Sequence, residues 1–506
     1  MTEIKNENLK SRVGNRLTVL IPARQFSINC AWTQEKSLPA IELFSCRLIL
    51  TFEKVLPSEI QEFFGLTNRE REELLDSLYE KRLASLDEEG YVMPSPLLYS
   101  QKKNKNGTPM LVEYKEQTES VVFELLTLSI RKAQGIKPFM FGLPEIPIPS
   151  NNKNPKSNDI IDAFSSQFRS YMDISRKNDN EKKRSNLYKV MSCSSESLLQ
   201  IPVDIEFTYD FNDNAEPIKK INSFERLSGT QSRPLNNLLE SHIADFLSSL
   251  EISNHNASIE SYCKTVNDNV LKNHIRDGKL DYSAWLNARS QRKTGYGTPE
   301  TTALFGPLYL SENRTTTLEW IRRSLRDVEP RKIKNALWLA SGVPLWGVSA
   351  EPIDEFTSRL QDIMGSFSEQ ASIVIFHHGV DKNDSWRCRN RFHRLINCGI
   401  MTPRSLDNIE IFLIPGIYAA VQYHGQPNSN SSITVPIGYQ THDPHRLEQL
   451  ESFFRLRLGN IDHLKVSWPE SLSLQDLLPS SWLQPNEGKS SSEVARAILS
   501  LRKGQD

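Results

Sequence analysis

The stretch IVIFHHGVDKNDSWRCRNRFHRLINCGI, residues 373–400, gathers the residue types most able to do chemistry. It holds three histidines, two cysteines and four arginines behind a β-branched run. Metal binding is the first chemistry to weigh. Cys388, His393 and Cys398 are five residues apart, with His377 and His378 upstream. Structural zinc sites use ligand pairs two to four residues apart on a knuckle turn. Steps of five on a helix turn by about 500°, so such side chains drift around the axis instead of converging. His442 and His445 form an HxxH pair, a spacing common by chance. No metal site and no cofactor is expected.

Phosphate binding fits the stretch better. The run Ile373–Phe376 reads as a strand that ends in His377 and His378, at the carboxyl edge where α/β folds place ligands. Arg387, Arg389, Arg391 and Arg394 follow on a helix expected over 386–396, with Trp386 and Phe392 among them and no acid between. Guanidinium groups grip phosphate bidentately and aromatic faces stack on bases. A solvated basic helix face is the plainer alternative. We take Arg387, Arg389, Arg391, Arg394, His377 and His378 as candidate nucleic-acid or phosphate contacts.

The elements that must position these residues suggest a multi-domain α/β protein. At 506 residues the chain exceeds one ordinary core. Hydrophobic content of 38% and charge of 24% suit a globular protein, and a net charge of −1 leaves nucleic-acid contact to local patches. The opening MTEIKNENLKSR does not read as a secretory signal, and no apolar run reaches the roughly 20 residues of a membrane span. Six scattered cysteines read as reduced thiols of a cytoplasmic protein.

Residues 1–149 are expected to form an N-terminal domain entered by a strand over 16–28. Within it, 38–98 resembles a winged helix. Ile41, Phe44 and Leu48 lie on one helical face. Ser58–Gln61 and Thr67–Glu70 read as capping boxes of a short and a longer helix, the second with Leu74, Leu75, Leu78 and Leu83 inward. Strands Leu83–Leu86 and Tyr91–Met93 then flank a turn at Gly90. A winged helix implies a third helix in the major groove. Here that helix carries Glu70, Glu72, Glu73, Asp76 and Glu80 beside Arg69, Arg71, Lys81 and Arg82, and the acids oppose phosphate contact. A protein-docking winged helix therefore stays open beside a DNA reader.

Residues 150–186 are polar and read as a linker, 187–302 as a partly helical middle region, and 484–506 as a tail. Residues 303–483 alternate strands with helices, as an α/β domain does.

The segment AVQYHGQPNSNSSITVPIGYQTHDPHR, within 303–458, resembles the phospholipase D superfamily, whose hallmark is His-x-Lys, four residues, Asp, six residues, then Gly-Ser-x-Asn. His424 takes the nucleophile position, Gln426 the lysine position and Ser431 the aspartate position, while Gly438, Tyr439 and Thr441 fall on the final block. The resemblance implies a phospholipase D-like fold with His424 as the catalytic residue if any activity remains. Only His424 and Gly438 keep their identity, so binding without cleavage is expected. His274, Arg276 and Asp281 imitate the first half of the motif, without its glycine block.

The expected function is that of a non-catalytic, nucleic-acid-associated accessory protein, DNA ahead of RNA. By analogy with bacterial antiphage defence operons, which combine such parts, protein partners from the same operon are expected and no membrane. The rivals are a phospholipase D-like nuclease with an altered site and a protein-docking scaffold.

Overall fold

The computed structural model describes residues 11–100, 110–131, 142–175, 185–211, 218–226, 232–251, 257–290, 296–326, 335–368, 371–392, 394–427 and 432–483. The chain is multi-domain mixed α/β and divides into two compact units. One comprises 23–133 and 149–198, and the other 1–22, 134–148 and 199–506. Among the described residues, no helix is long and apolar enough to cross a membrane.

The smaller unit holds the segment 38–98. After strand β1 (Ser11–Ser37) come α1 (Ala40–Phe52), α2 (Pro57–Phe64) and α3 (Asn68–Glu80). The antiparallel ribbon β2 (Ala84–Leu86) and β3 (Val92–Pro94) follows. Thr67 caps α3 as its sequence predicts: its hydroxyl accepts from the Glu70 amide and Glu70 accepts from the Thr67 amide. For α2 the expected cap is displaced. Pro57 occupies the first turn, and Glu59 reaches back to the Leu56 amide at 2.8 Å, so Ser58 lies inside the helix. Of the α1 face marked by its spacing, Leu48 packs against the core and the other two residues point outward. Ile41 and Phe44 are exposed, whereas Cys46 and Ile49 are buried with Glu42, whose carboxylate is held by Lys81 at 2.6 Å and Ser77 at 2.9 Å. One ion pair thus lets a charged residue occupy the inner face that spacing assigned to the aliphatics.

The polar stretch 150–186 is not a bare linker. It contains α4 (Ser157–Ser166) and α5 (Phe168–Ser175), whose Ile160, Phe164, Phe168, Tyr171 and Met172 are buried. They form one core with Phe26, Ile28, Cys30 and Trp32 of β1 and with Val121 and Phe123 of β4 (Met110–Glu124), which runs antiparallel to β1. The polar average hid two short amphipathic helices, each burying one narrow face. Beyond β5 (Ile130–Arg131), the middle region adds a strand its sequence did not suggest, the long β6 (Ser185–Asp210), followed by β7 (Ile218–Arg226) and β8 (Ser232–Pro234). The amphipathic helix expected there is α6 (Asn237–Ser248), with Leu239, Ile243 and Leu247 buried and Leu238 exposed.

After α7 (Ile259–Val266), α8 (Asn269–Lys272), the hairpin of β9 (Ile275–Arg276) and β10 (Lys279–Leu280), and α9 (Tyr282–Ser290), the chain builds the sheet that carries the site. Its elements are β11 (Thr301–Phe305), α10 (Ser311–Arg326), β12 (Asn335–Leu339), α11 (Ala350–Gly365), β13 (Ser372–His378), α12 (Lys382–Phe392), β14 (Cys398–Thr402), β15 (Ile409–Ile414), β16 (Tyr418–Gly425), β17 (Val435–Thr441), α13 (Pro444–Leu458) and β18 (Lys465–Trp468). Strand order is β11-β17-β16-β15-β12-β13-β14-β18. The central trio β12, β13 and β14 is parallel, and β15 runs antiparallel to β12.

Strands β12 and β15 are buried along their whole length, as expected where helices cover both faces of a sheet. One face packs Trp338, Ile375 and Phe412 against Leu318 and Ile321 of α10 and Ile353 and Phe356 of α11. On the other, Phe376 meets Phe454 of α13 edge-on at 5.3 Å. Because β16 is antiparallel to β15, the carboxyl ends of β12, β13 and β16 share one edge of the sheet.

Candidate functional site

That edge holds a cavity of about 450 Å³. Its walls are the loop that follows β12 (Ala340–Trp346), the His377–His378 end of β13, and the inner face of α12. The loop approaches closely because residue 342 is glycine: any Cβ there would sit 2.1 Å from the Leu406 carbonyl oxygen.

The candidate residues split into two groups. His377, His378, Arg387 and Arg391 line the cavity; Arg389 and Arg394 do not, and both are exposed. Strand alternation separates the two histidines. His377 is buried, stacked on Trp468, with Nδ1 against the His378 carbonyl at 3.1 Å and Nε2 against Ser467 Oγ at 2.8 Å. A carbonyl can only accept, so Nδ1 carries the proton and Nε2 accepts from Ser467. Burial lowers the His377 pKa, and the neutral ring is the form these partners fit. His378 is exposed and its Nδ1 lies 3.1 Å from the Arg404 carbonyl.

Arg387 stands 76% exposed at the cavity mouth, 3.9 Å from Asp384 one turn earlier, so α12 is not free of acid at its start. Asp384 is held as a carboxylate, its pKa lowered first by the Val380 amide at 3.0 Å. Arg391 is the unusual member. Its guanidinium lies 4.8 Å from the Phe392 ring and donates to the Trp346 carbonyl, while Nε is buried without a partner. Among the described residues no carboxylate pairs with Arg391. Burial pushes its pKa down to about 10, the signature of a cation taken from water without a counter-ion.

His424 lies on the same edge but lines neither this cavity nor a second one of about 770 Å³. Its side chain is 5% exposed, and Nε2 lies 2.7 Å from Glu410 Oε2. Register explains the meeting: Glu410 of β15 faces Gln422 of β16, and His424 is the next residue on that face. Trp338 Nε1 donates to Glu410 Oε1 at 2.7 Å and Trp346 Nε1 to Oε2 at 2.9 Å. Three N–H groups thus satisfy one buried carboxylate, which buried charge requires. A carboxylate therefore holds this imidazole, although the resemblance put Ser431 at the aspartate position. The carboxylate comes from the neighbouring strand rather than from the loop after His424, where Ser431 falls outside the described residues. The other nitrogen, Nδ1, is 3.5 Å from Thr434 Oγ1. Neither nitrogen is presented to a solvent-accessible substrate.

The remaining motif positions have structural explanations. Gly438 is required by packing, since a Cβ would lie 2.1 Å from the Val421 carbonyl oxygen and 2.6 Å from the Tyr262 hydroxyl. Gln426 is exposed just beyond β16. Asp281 accepts from the Ala284 amide at 2.9 Å, capping α9, and Arg276 sits in the β9–β10 hairpin, so the imitation of the motif at His274 is a hairpin and a helix cap. Among the described residues no group of three or more His, Cys, Asp or Glu is arranged to hold a metal; His393 lies outside them. All six cysteines are free, and burial pushes the Cys388 thiol up to about 12.

Sequence reasoning missed Glu410, Trp338 and Trp346. A signal for the first existed: Glu410 is the one charged residue in the run IEIFLI, where a charge must find buried donors.

No protein-family model matches the chain, and no curated protein matches it. Among solved structures it is similar to TrmBL2, an archaeal chromatin protein whose structure shows a novel mode of DNA binding. That similarity has 9% identity and a TM-score of 0.17, over 82% of this chain and 91% of that one, too slight to fix a fold.

Proposed function

We propose that this protein binds nucleic acid through the α12 face and does not cleave it. The observation that carries the reading is the exposed surface of α12, with Arg389 and Trp386 on it, Arg387 exposed at the cavity mouth and Arg394 exposed just beyond the helix. Trp386 is 64% exposed, a cost in water that stacking on a base would offset. Arginines beside an aromatic face make a sequence-tolerant grip on a single strand. The C-terminal domain then follows the phospholipase D-like plan without its chemistry. Gln426 supplies no cation where the family has lysine, and His424 is sealed behind Trp346 and Glu410. The cellular setting we favour is a bacterial multi-component defence system in which this chain is an accessory.

The winged-helix-like segment we read as a protein-docking module. Arg69 pairs with Glu73 at 2.8 Å and Arg71 with Glu72 at 3.2 Å, so the cations of α3 already face acids. Ile41, Phe44 and Phe52 of α1 stand exposed on one stripe at helical spacing.

The test incubates single- and double-stranded DNA and RNA with wild type and His424→Ala, with and without divalent metal. Binding without cleavage by both proteins supports the reading. Wild-type cleavage abolished by His424→Ala refutes it and establishes the nuclease.

A further inference from the structure

The α12 arginines face two different environments, and in the function proposed above the outer ones meet a long polyanion. Arg391 points the other way. Among the described residues its guanidinium has one hydrogen-bond acceptor, the Trp346 carbonyl, and its Nε is buried without a partner. A cation held so is costly unless an anion enters beside it. The space for one exists. The cavity of about 450 Å³ falls within the range of small-molecule sites. A bare inorganic anion would leave most of it unfilled. Val343, Trp346, Phe392 and Leu406 supply apolar wall, while Arg387 stands at the mouth as a second cation. Asp384 is the acid in the lining, and the Val380 amide and Arg387 already engage it, so Arg391 is left for a ligand.

We propose that this cavity is a site for a phosphate monoester with a flat, partly apolar body, the phosphate seated on Arg391 and the body against Trp346, Phe392 and Leu406. The inference rests on reading α12 as a phosphate-binding helix and gives its inner face a ligand of its own. A free mononucleotide and the 5′-phosphorylated end of a strand present the same chemistry, and the cavity takes one such unit, not a duplex.

Calorimetric titration of the full chain with adenosine 5′-monophosphate, adenosine and inorganic phosphate tests this. The monophosphate should bind at micromolar to low millimolar concentration, at least tenfold tighter than either fragment. Arg391→Met, which keeps the stem, should lose at least tenfold. Arg391→Lys, which keeps the charge but not the fork, should fall between, and ligand-free thermal unfolding of both variants reports whether they are folded. Single-stranded oligonucleotides with 5′-phosphate or 5′-hydroxyl ends separate the two sources. A tighter 5′-phosphate strand whose advantage disappears in Arg391→Met identifies the strand end, and a response to the monophosphate alone identifies the free nucleotide. Wild type that binds none of these phosphates, or a folded Arg391→Met that binds them equally well, overturns the proposal. Either result leaves open whether a 5′-hydroxyl strand binds the outer arginines, so the two readings fail separately.

Discussion

Replacing Glu410 should expose how much of the sheet edge depends on one carboxylate. In Glu410→Leu, similar volume is kept but Trp338 Nε1, Trp346 Nε1 and His424 Nε2 lose their acceptor in a buried setting. Each buried donor left unpaired costs about 1–3 kcal/mol. His424 can move its proton to Nδ1, toward Thr434, which removes one donor from the sum. Two indoles remain, for a loss of roughly 2–6 kcal/mol. Glu410→Gln keeps one carbonyl oxygen and should cost about half as much. His424→Ala leaves Glu410 with both indoles and should cost roughly 2–3 kcal/mol, near the value of one hydrogen bond to a charged group. Equilibrium urea denaturation followed by tryptophan emission reads all three, because Trp338 and Trp346 change surroundings in the transition being measured. A loss in Glu410→Leu larger than in either Glu410→Gln or His424→Ala is the signature of a structural network. A Glu410→Leu variant within 1 kcal/mol of wild type would refute the reasoning, since the indoles would then have other acceptors.

Two further outcomes follow from single side chains. Burial lowers the His377 pKa from its ordinary 6.5, so the unfolded chain takes up a proton that the folded chain refuses. Stability should be complete above pH 6.5 and fall as pH drops below it toward the lowered folded value, and His377→Gln should flatten that slope in urea midpoints taken from pH 7 to 5. Gly438→Ala should cost at least 1–3 kcal/mol by overpacking, seen as a lowered melting temperature, because its Cβ would meet backbone and not a movable side-chain tip; an unchanged melting temperature would show that β16 can give way.

Much of the larger unit was legible because its signals are local. The runs Ala336–Leu339, Ser372–Phe376 and Ile409–Ile414 are mostly β-branched or apolar, with Glu410 the one charge among them, and each lies within an observed strand, β12, β13 and β15. Thr67–Glu70 closed its capping box as spacing required, since that interaction is complete within four residues. Patterns that depend on distant partners misled. Lys81 holds Glu42 on the inner face of α1, and Ile41 and Phe44 lie outside. The helices in 150–186 were hidden by the Asn and Lys around them, although Phe164, Phe168 and Tyr171 were in view. The site shows the same division. His377, His378 and Arg387 were found from a strand end and a helix, whereas Glu410 reaches His424 only through the pairing of β15 with β16. The different fates of Arg389 and Arg391 depend on which side of α12 the β12 loop covers, and no spacing reports that.

In the proposed function the outer α12 arginines hold phosphate. This is tested most directly by the salt dependence of single-stranded DNA binding, wild type against Arg387→Ala/Arg389→Ala/Arg394→Ala, with Arg69→Ala/Arg71→Ala as the control. Each phosphate contact contributes about 0.7 to the slope of log K against log salt on a single strand, so the triple variant should lose about 2 units of slope and bind more weakly. The Arg69/Arg71 variant should track wild type. The opposite pattern, an unchanged slope in the triple variant and a lost one in the Arg69/Arg71 variant, would contradict the account and assign nucleic-acid binding to the winged-helix-like segment.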